Sequence, residues 1–142
     1  MFIPWIGTNG YYELVKLIIL LIFNVSILAN EECAGPNCNL NGTKLETCSK
    51  APLTGFNRSG SCEYLEGDRG RHLVCAEVTN EFLSYTKSLG NDLSTPNLRY
   101  GFKGLKAGDR WCLCSARYLE AKKAGIPIKM IKSATNARAF EH

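Results

Sequence analysis

The sequence predicts a small single α+β domain: a mixed sheet of about three strands with helices packed on it, preceded by a loop-rich N-terminal part. Three observations carry this. From residue 72 onward, β-rich and helix-patterned segments follow in the order β-α-loop-β-α-β-α, which builds a single layered core. Residues 30 to 71 are rich in Gly, Asn, Ser, Cys and Pro and hold neither a helical nor a strand period, so they read as loop with short extended pieces. The chain has 142 residues, room for one domain.

Before that domain comes an apolar run of 13 residues, Leu17 to Ala29. A membrane-spanning helix needs about 20. The run is interrupted by Asn24 and Ser26, ends in the small-residue site Ile27-Leu28-Ala29, and is followed by Asn30-Glu31-Glu32. Residues 1–29 therefore read as a secretory signal peptide. The long n-region has one basic side chain, Lys16, offset by Glu13, so a signal anchor over residues 14–29 is the alternative. A buried core helix would need a polar face, and none falls at helical spacing. On either of the first two readings the remainder, a 30–38 extension and a 39–142 domain, enters the secretory pathway and is extracellular or lumenal. Membrane contact would come only through the N-terminal segment, if it is retained. The triplets Asn41-Gly42-Thr43 and Asn57-Arg58-Ser59 are glycosylation candidates, usable only on exposed loops of a translocated chain.

Within the domain, Cys33 and Cys38 bracket the turn-forming Ala-Gly-Pro-Asn and can close a small loop of their own. Leu53-Thr54-Gly55-Phe56 reads as an apolar anchor around a glycine turn. His72 to Val78 (HLVCAEV) is rich in β-formers and predicts a strand. Thr79 is placed to cap a helix that presents Phe82, Leu83, Thr86 and Leu89 on one face, and Gly90 suits the left-handed residue at its end. Asn91 to Pro96 predicts an ordered turn, because its Asn, Asp and Ser side chains can bond their own backbone. Tyr100 to Leu105 sets large apolar groups between glycines, as in a loop packed on the core. Lys106 to Asp109 is a turn and Arg110 to Cys114 a strand, with Cys112 and Cys114 on one face and Trp111 and Leu113 on the other. Ser115 is placed to cap a helix reaching about Ala124 and stopped by Gly125. Ile126 to Ile131 is a third strand, at an edge because of Pro127. Thr135 is placed to cap a short last helix.

Charge and cysteine content narrow the function classes. The net charge of +4 is mild, and no dense Lys/Arg stripe with interleaved aromatics is present, so no nucleic acid is expected as a partner. The basic C-terminal region from Arg117 reads as solvated helix surface. Seven cysteines, all beyond residue 32, predict disulfides in an oxidising compartment. Cys33, Cys38, Cys48, Cys62, Cys75, Cys112 and Cys114 are all candidates. Leaving one spare allows about 105 pairings, so the connectivity stays open.

Four strings, TGFNRSGSC, HLVCAEVTNEFLSYTKSLGNDLSTP, YGFKGLKAGDRWCLCSARYLEAKKAG and SATNARAF, resemble the bacterial-type Domain of Unknown Function 2237 family. GNDLSTP and GDRWCLC are long enough to make the likeness specific, and it covers about residues 39 to 140. The resemblance implies a small single-domain fold and supplies no catalytic residue. Members of that family carry two adjacent cysteines where this chain has Ser61-Cys62, and a histidine where it has Asn136. A mechanism needing both groups is in doubt here. The resemblance also implies that a translocated relative with two added cysteines, Cys33 and Cys38, has turned to disulfides positions that are reduced in cytosolic members.

Three constellations bear on chemistry. His72, Cys75, Cys112 and Cys114 are the metal candidates, with zinc as the alternative to no cofactor. Cys112-x-Cys114 is tighter than the usual C-x2-4-C of zinc sites, and structural cysteines explain the same residues. Cys112 and Cys114 are also a candidate redox pair, with Cys114 just before a helix whose N-terminus would lower a thiol pKa. Finally, His72, Asp92, Asp109, Arg110 and Arg58 offer acid–base groups, although Asp92 and Asp109 sit in turns where aspartate often serves only the backbone. Tyr100, Phe102 and Trp111 are more often core than ligand cage. The expectation is a binding or interaction module of unknown partner. The competing expectation is a thiol- or metal-dependent enzyme centred on Cys112 and Cys114.

Overall fold

The computed structural model describes residues 9–26 and 32–141. Two compact units result, Met1–Glu32 and Cys33–His142. In the first, helix α1 spans Asn9–Ser26 and carries an exposed Glu13–Lys16 ion pair at 3.4 Å. Among the described residues no helix is long and apolar enough to cross a membrane. The cleavage site expected at Ala29, and part of the anchor expected over 14–29, lie outside the described residues.

The second unit is the α+β domain. Its sheet has three strands, β1 (Val74–Glu77), β2 (Arg110–Leu113) and β3 (Lys129–Met130), in the order β2-β1-β3. Both pairings are antiparallel, so the expected mixed sheet is corrected to an antiparallel one. In the register, Val74 stands opposite Leu113, Cys75 opposite Cys112 and Ala76 opposite Trp111. Period-two alternation therefore gives the sheet two different faces. Val74, Ala76, Trp111 and Leu113 join the hydrocarbon core with Phe82, Tyr118 and Ala121 from the helices. Cys75 and Cys112 join a second cluster with Cys48, Cys62 and Ala134.

The elements are shorter than their propensities, each for a local reason. The strand expected over 72–78 begins at Val74 because the His72 N–H is taken by the Asp68 carboxylate at 2.7 Å and the Leu73 N–H by the Arg71 carbonyl. Beyond its end, the Val78 N–H turns to the Asp109 carbonyl. Helix α2 (Asn80–Ser88) starts as expected, with Thr79 Oγ1 accepting the Phe82 N–H at 3.0 Å. It buries Phe82, Leu83 and Thr86, while Leu89 is 42% exposed at the C-cap and leaves the expected face. Gly90 takes φ +85°. Strand β2 stops at Leu113 because Cys114 becomes the cap of α3 (Ser115–Lys123), its carbonyl accepting the Tyr118 N–H. Ser115 is thus the first helical residue, and its hydroxyl donates to the Arg71 carbonyl. The expected cap at Thr135 is instead Asn136, whose Oδ1 accepts the Arg138 N–H at the start of a 3₁₀ turn, Ala137–Phe140.

The loop-rich part is held by buried polar side chains. Asn39, 1% exposed, donates to Thr43 Oγ1 and to the Lys44 and Ser133 carbonyls, and accepts the Asn41 and Thr43 N–H groups. Thr135, fully buried, accepts the Cys75 N–H and donates to the Ile131 carbonyl. Asn136 Nδ2 donates to the Pro36 carbonyl. Each such group would cost free energy if left unpaired, so these contacts stitch residues 36–46 onto 133–136.

Candidate functional site

Six cysteines pair as Cys33–Cys38, Cys48–Cys75 and Cys62–Cys112. Cys33 and Cys38 close the small loop expected of them. Cys114 is the free one, half-buried at the cap of α3 with no side-chain cap bond. This corrects the constellation centred on Cys112 and Cys114. The Cys112 sulfur is bonded to Cys62, and the cap position turns Cys114 out of the strand, so the two do not share a strand face. The metal set His72, Cys75, Cys112 and Cys114 is likewise not assembled: Cys75 is bonded to Cys48, and His72 Nδ1 lies 2.7 Å from Asp68 Oδ1. The sulfurs of Cys48, Cys62 and Cys75 do lie within 4.8 Å of one another. As disulfide sulfurs they are not the thiolates that zinc takes.

The polar constellation fares differently. Arg58, His72 and Asp92 meet at a cleft of about 610 Å³, walled by Phe56, Tyr100, Phe102 and Trp111 and floored in part by Cys112. Asp109 and Arg110 do not line it. Asp109 Oδ2 accepts the Lys106 N–H, and Arg110 stands exposed opposite Glu77. The cleft forms where the 55–58 and 92–102 loops, with His72, come together over Trp111 and Cys112 of β2. The 55–58 turn is tight: Gly55 has φ +94°, and a Cβ there would sit 2.6 Å from the Ser61 carbonyl oxygen. That turn brings the Arg58 guanidinium 4.9 Å over the Trp111 ring, with Nη1 donating to the Gly55 carbonyl. Thr54 ties the same loop to the sheet by accepting the Cys112 N–H at 2.9 Å. Phe102 packs against Trp111 at 5.4 Å between centroids. Sequence reasoning put these aromatics in the core; Trp111 is buried there and still lines the cleft, whereas Tyr100 is 69% and Phe56 51% exposed.

Two carboxylates are committed in different ways. Asp92 sits in the ordered turn expected of Asn91–Pro96. Its Oδ1 accepts the Ser94 and Thr95 N–H groups, and its Oδ2 accepts the Thr95 hydroxyl and lies 3.0 Å from Lys87 Nζ. The Thr95 hydroxyl, then the Thr95 N–H and Lys87, hold its carboxyl well below the usual carboxylate range. The other, Asp68, is a residue the sequence reading missed. Its side chain is 1% exposed, against 38% for His72. It grips His72 twice, through the backbone N–H and through Nδ1, both at 2.7 Å. The ring stacks on Phe56 at 6.0 Å and 21°. Gly70 makes room for it, since a Cβ there would fall 2.6 Å from the ring. With Nδ1 turned to Asp68, Nε2 is left free of hydrogen bonds among the described residues. The signal was present in the string Gly-Asp-Arg-Gly-Arg-His, a carboxylate and an imidazole four residues apart between glycines.

Fold and site together define a small α+β domain stapled by disulfides, with an aromatic-walled cleft beside the outer strand β2. Residues 38–142 match the family described as "Uncharacterized protein conserved in bacteria (DUF2237)". The chain belongs to that family, whose description assigns no activity. No curated protein matches the chain. At Asn136 the side chain is fully buried and bonds the Pro36 carbonyl and Asn37. That position is structural in this protein.

Proposed function

We propose that this protein is a ligand-binding module of the secretory pathway, working outside the cytosol and carrying no catalysis of its own. One observation carries the reading. The cleft gathers a guanidinium, an imidazole and four aromatic rings on one concave surface, and its size lies in the range of small-molecule sites. The ligand that suits it has a flat apolar body and an anionic group, the body against Phe56 and Tyr100 and the charge toward Arg58. Three disulfides support an oxidising compartment.

The test is a fragment titration of the isotope-labelled full chain, disulfides intact, with small aromatic carboxylates and aromatic phosphates. Amide shifts at Gly55, Phe56, Arg58 and Thr95 that saturate, and that are lost in Arg58→Ala, are expected. If no fragment moves those amides, the binding reading falls. Export is tested by an intact mass on protein made through its own leader. A new N-terminus near residue 30 and one alkylatable thiol before reduction are expected; several free thiols would contradict it.

A second reading has one observation of its own. A buried carboxylate fixing the tautomer of a half-exposed histidine, with Nε2 unpartnered, is the arrangement of a general base. If a substrate is found, loss of turnover in His72→Ala, together with a shifted pH–rate profile in Asp68→Asn, would replace the binding reading with this one.

A further inference from the structure

A second hollow of about 660 Å³ adjoins the cleft and shares Arg58, Tyr100, Phe102 and Trp111 with it. Its other lining includes Lys50, Leu53, Lys103, Lys106 and Asp109. The two hollows share these walls, and taken together as one trough they offer more room than a ligand of one or two rings fills.

Charge decides what kind of chain lies in it. Lys50, Arg58, Lys103 and Lys106 are exposed, and none of them is in an ion pair among the described residues. The two carboxylates of the trough are already engaged, Asp92 by Thr95 and Lys87 and Asp109 by the Lys106 N–H. A concave surface lined by unpaired cations draws anions. Along the same trough, Phe56, Tyr100 and Leu53 (51%, 69% and 47% exposed) present apolar surface that the fold leaves uncovered. Flat apolar patches between cations fit pyranose rings bearing acidic substituents. A peptide captured as an added strand needs a free sheet edge, and the outward N–H at the centre of β2, on Cys112, is already given to Thr54.

We infer that the trough binds a linear oligosaccharide carrying sulfate or carboxylate groups, its rings against Tyr100 and Phe56 and its acidic groups toward Arg58, Lys50, Lys103 and Lys106. This rests on the binding reading above and extends it to a ligand class.

The experiment titrates the full chain, disulfides intact, with a sulfated tetrasaccharide, an uncharged oligosaccharide of equal length, a hexaglutamate peptide and a short oligothymidylate, near physiological salt. The sulfated tetrasaccharide is expected to bind at least about tenfold tighter than each of the others. Tyr100→Ala and the double variant Lys103→Ala/Lys106→Ala are each expected to weaken it about tenfold or more. These side chains are exposed, so the variants keep the wild-type melting temperature. The tyrosine variant separates a seated sugar from loose polyanion attraction, which it would leave unchanged. Equal binding of peptide or oligonucleotide overturns the inference, as does tetrasaccharide binding indifferent to all three substitutions. If the aromatic fragments still move Phe56 and Arg58 while the tetrasaccharide binds nowhere, the cleft reading stands and this one falls.

Discussion

Removing the Cys62–Cys112 bridge should be the most damaging of the three possible disulfide deletions, and the size of the loss can be worked out. The bridge closes a loop of 50 residues, against 27 for Cys48–Cys75 and 5 for Cys33–Cys38. In the chain-entropy treatment those loops correspond to about 4.1, 3.6 and 2.1 kcal/mol of stabilisation. The two larger loops interleave, sharing residues 62–75, so one already shortens the other in the unfolded chain and both figures are upper values. Packing adds to the loss for both larger bridges: Cys62 and Cys112 are 0% and 2% exposed, Cys48 and Cys75 4% and 0%, so deleting either pair also opens the cluster behind the sheet. For a domain of this size, about 4 kcal/mol lowers the melting temperature by about 16 °C. The assay is thermal and urea unfolding of C62A/C112A, C48A/C75A and C33A/C38A, each substituted in pairs so that no free thiol is added to Cys114. The expected order of loss is the order of loop length. If C33A/C38A costs as much as C62A/C112A, or if the latter costs less than about 1 kcal/mol, the cross-links are not what holds this fold.

Three further outcomes are expected. Asp92 is held below the usual carboxylate range, so near and below about pH 4 the folded chain binds fewer protons than the unfolded one. Its stabilisation is therefore present above that range and lost as acid titrates it; the melting temperature of D92N should fall less steeply than wild type from about pH 4 to pH 2, and parallel curves would contradict this. T135V leaves the Cys75 N–H unpaired in a fully buried site, while the Ile131 carbonyl keeps the Ala134 N–H, a loss of about 1–3 kcal/mol to be read from the urea midpoint, and an unmoved midpoint would count against it. G104A places a Cβ 2.3 Å from the Ser94 carbonyl oxygen at φ +79°, costing about 1–3 kcal/mol, whereas G101A, at φ +59° with open space around it, costs only about 1 kcal/mol. Equal melting temperatures for the two glycine variants would refute the argument from the clash.

Helices and fold class were legible because their signals are local. Thr79 and Gly90 bound α2 through cap and left-handed stop, and both are chemistry of a single residue. Strand limits were not legible, because they are set from outside the strand: Asp68 takes the His72 N–H and keeps it out of the ladder, and Cys114 is drawn out of β2 by the first turn of α3. The turn role of Asp92 could be read from its neighbours, but not that it would face Arg58 across a cleft. Beyond the local Cys33–Cys38 loop, cysteine pairing was out of reach for the same reason, since the partner of Cys112 is set by which loop crosses the back of the sheet. Asp68 is the instructive omission. Its partner was named, and the intervening Gly70, which leaves room for the imidazole to reach the carboxylate, was in plain sight.

The interleaving of the two larger bridges also bears on survival among proteases. A single peptide-bond cut between Cys48 and Cys112 leaves the two fragments joined, because Cys48–Cys75 or Cys62–Cys112 always spans the break. The loops that wall the cleft, 55–58 and 92–104, both fall inside that interval. A nick at their exposed tips would thus yield a two-chain protein with its core still fastened, and the wear would be recorded only after reduction, as a change in band pattern.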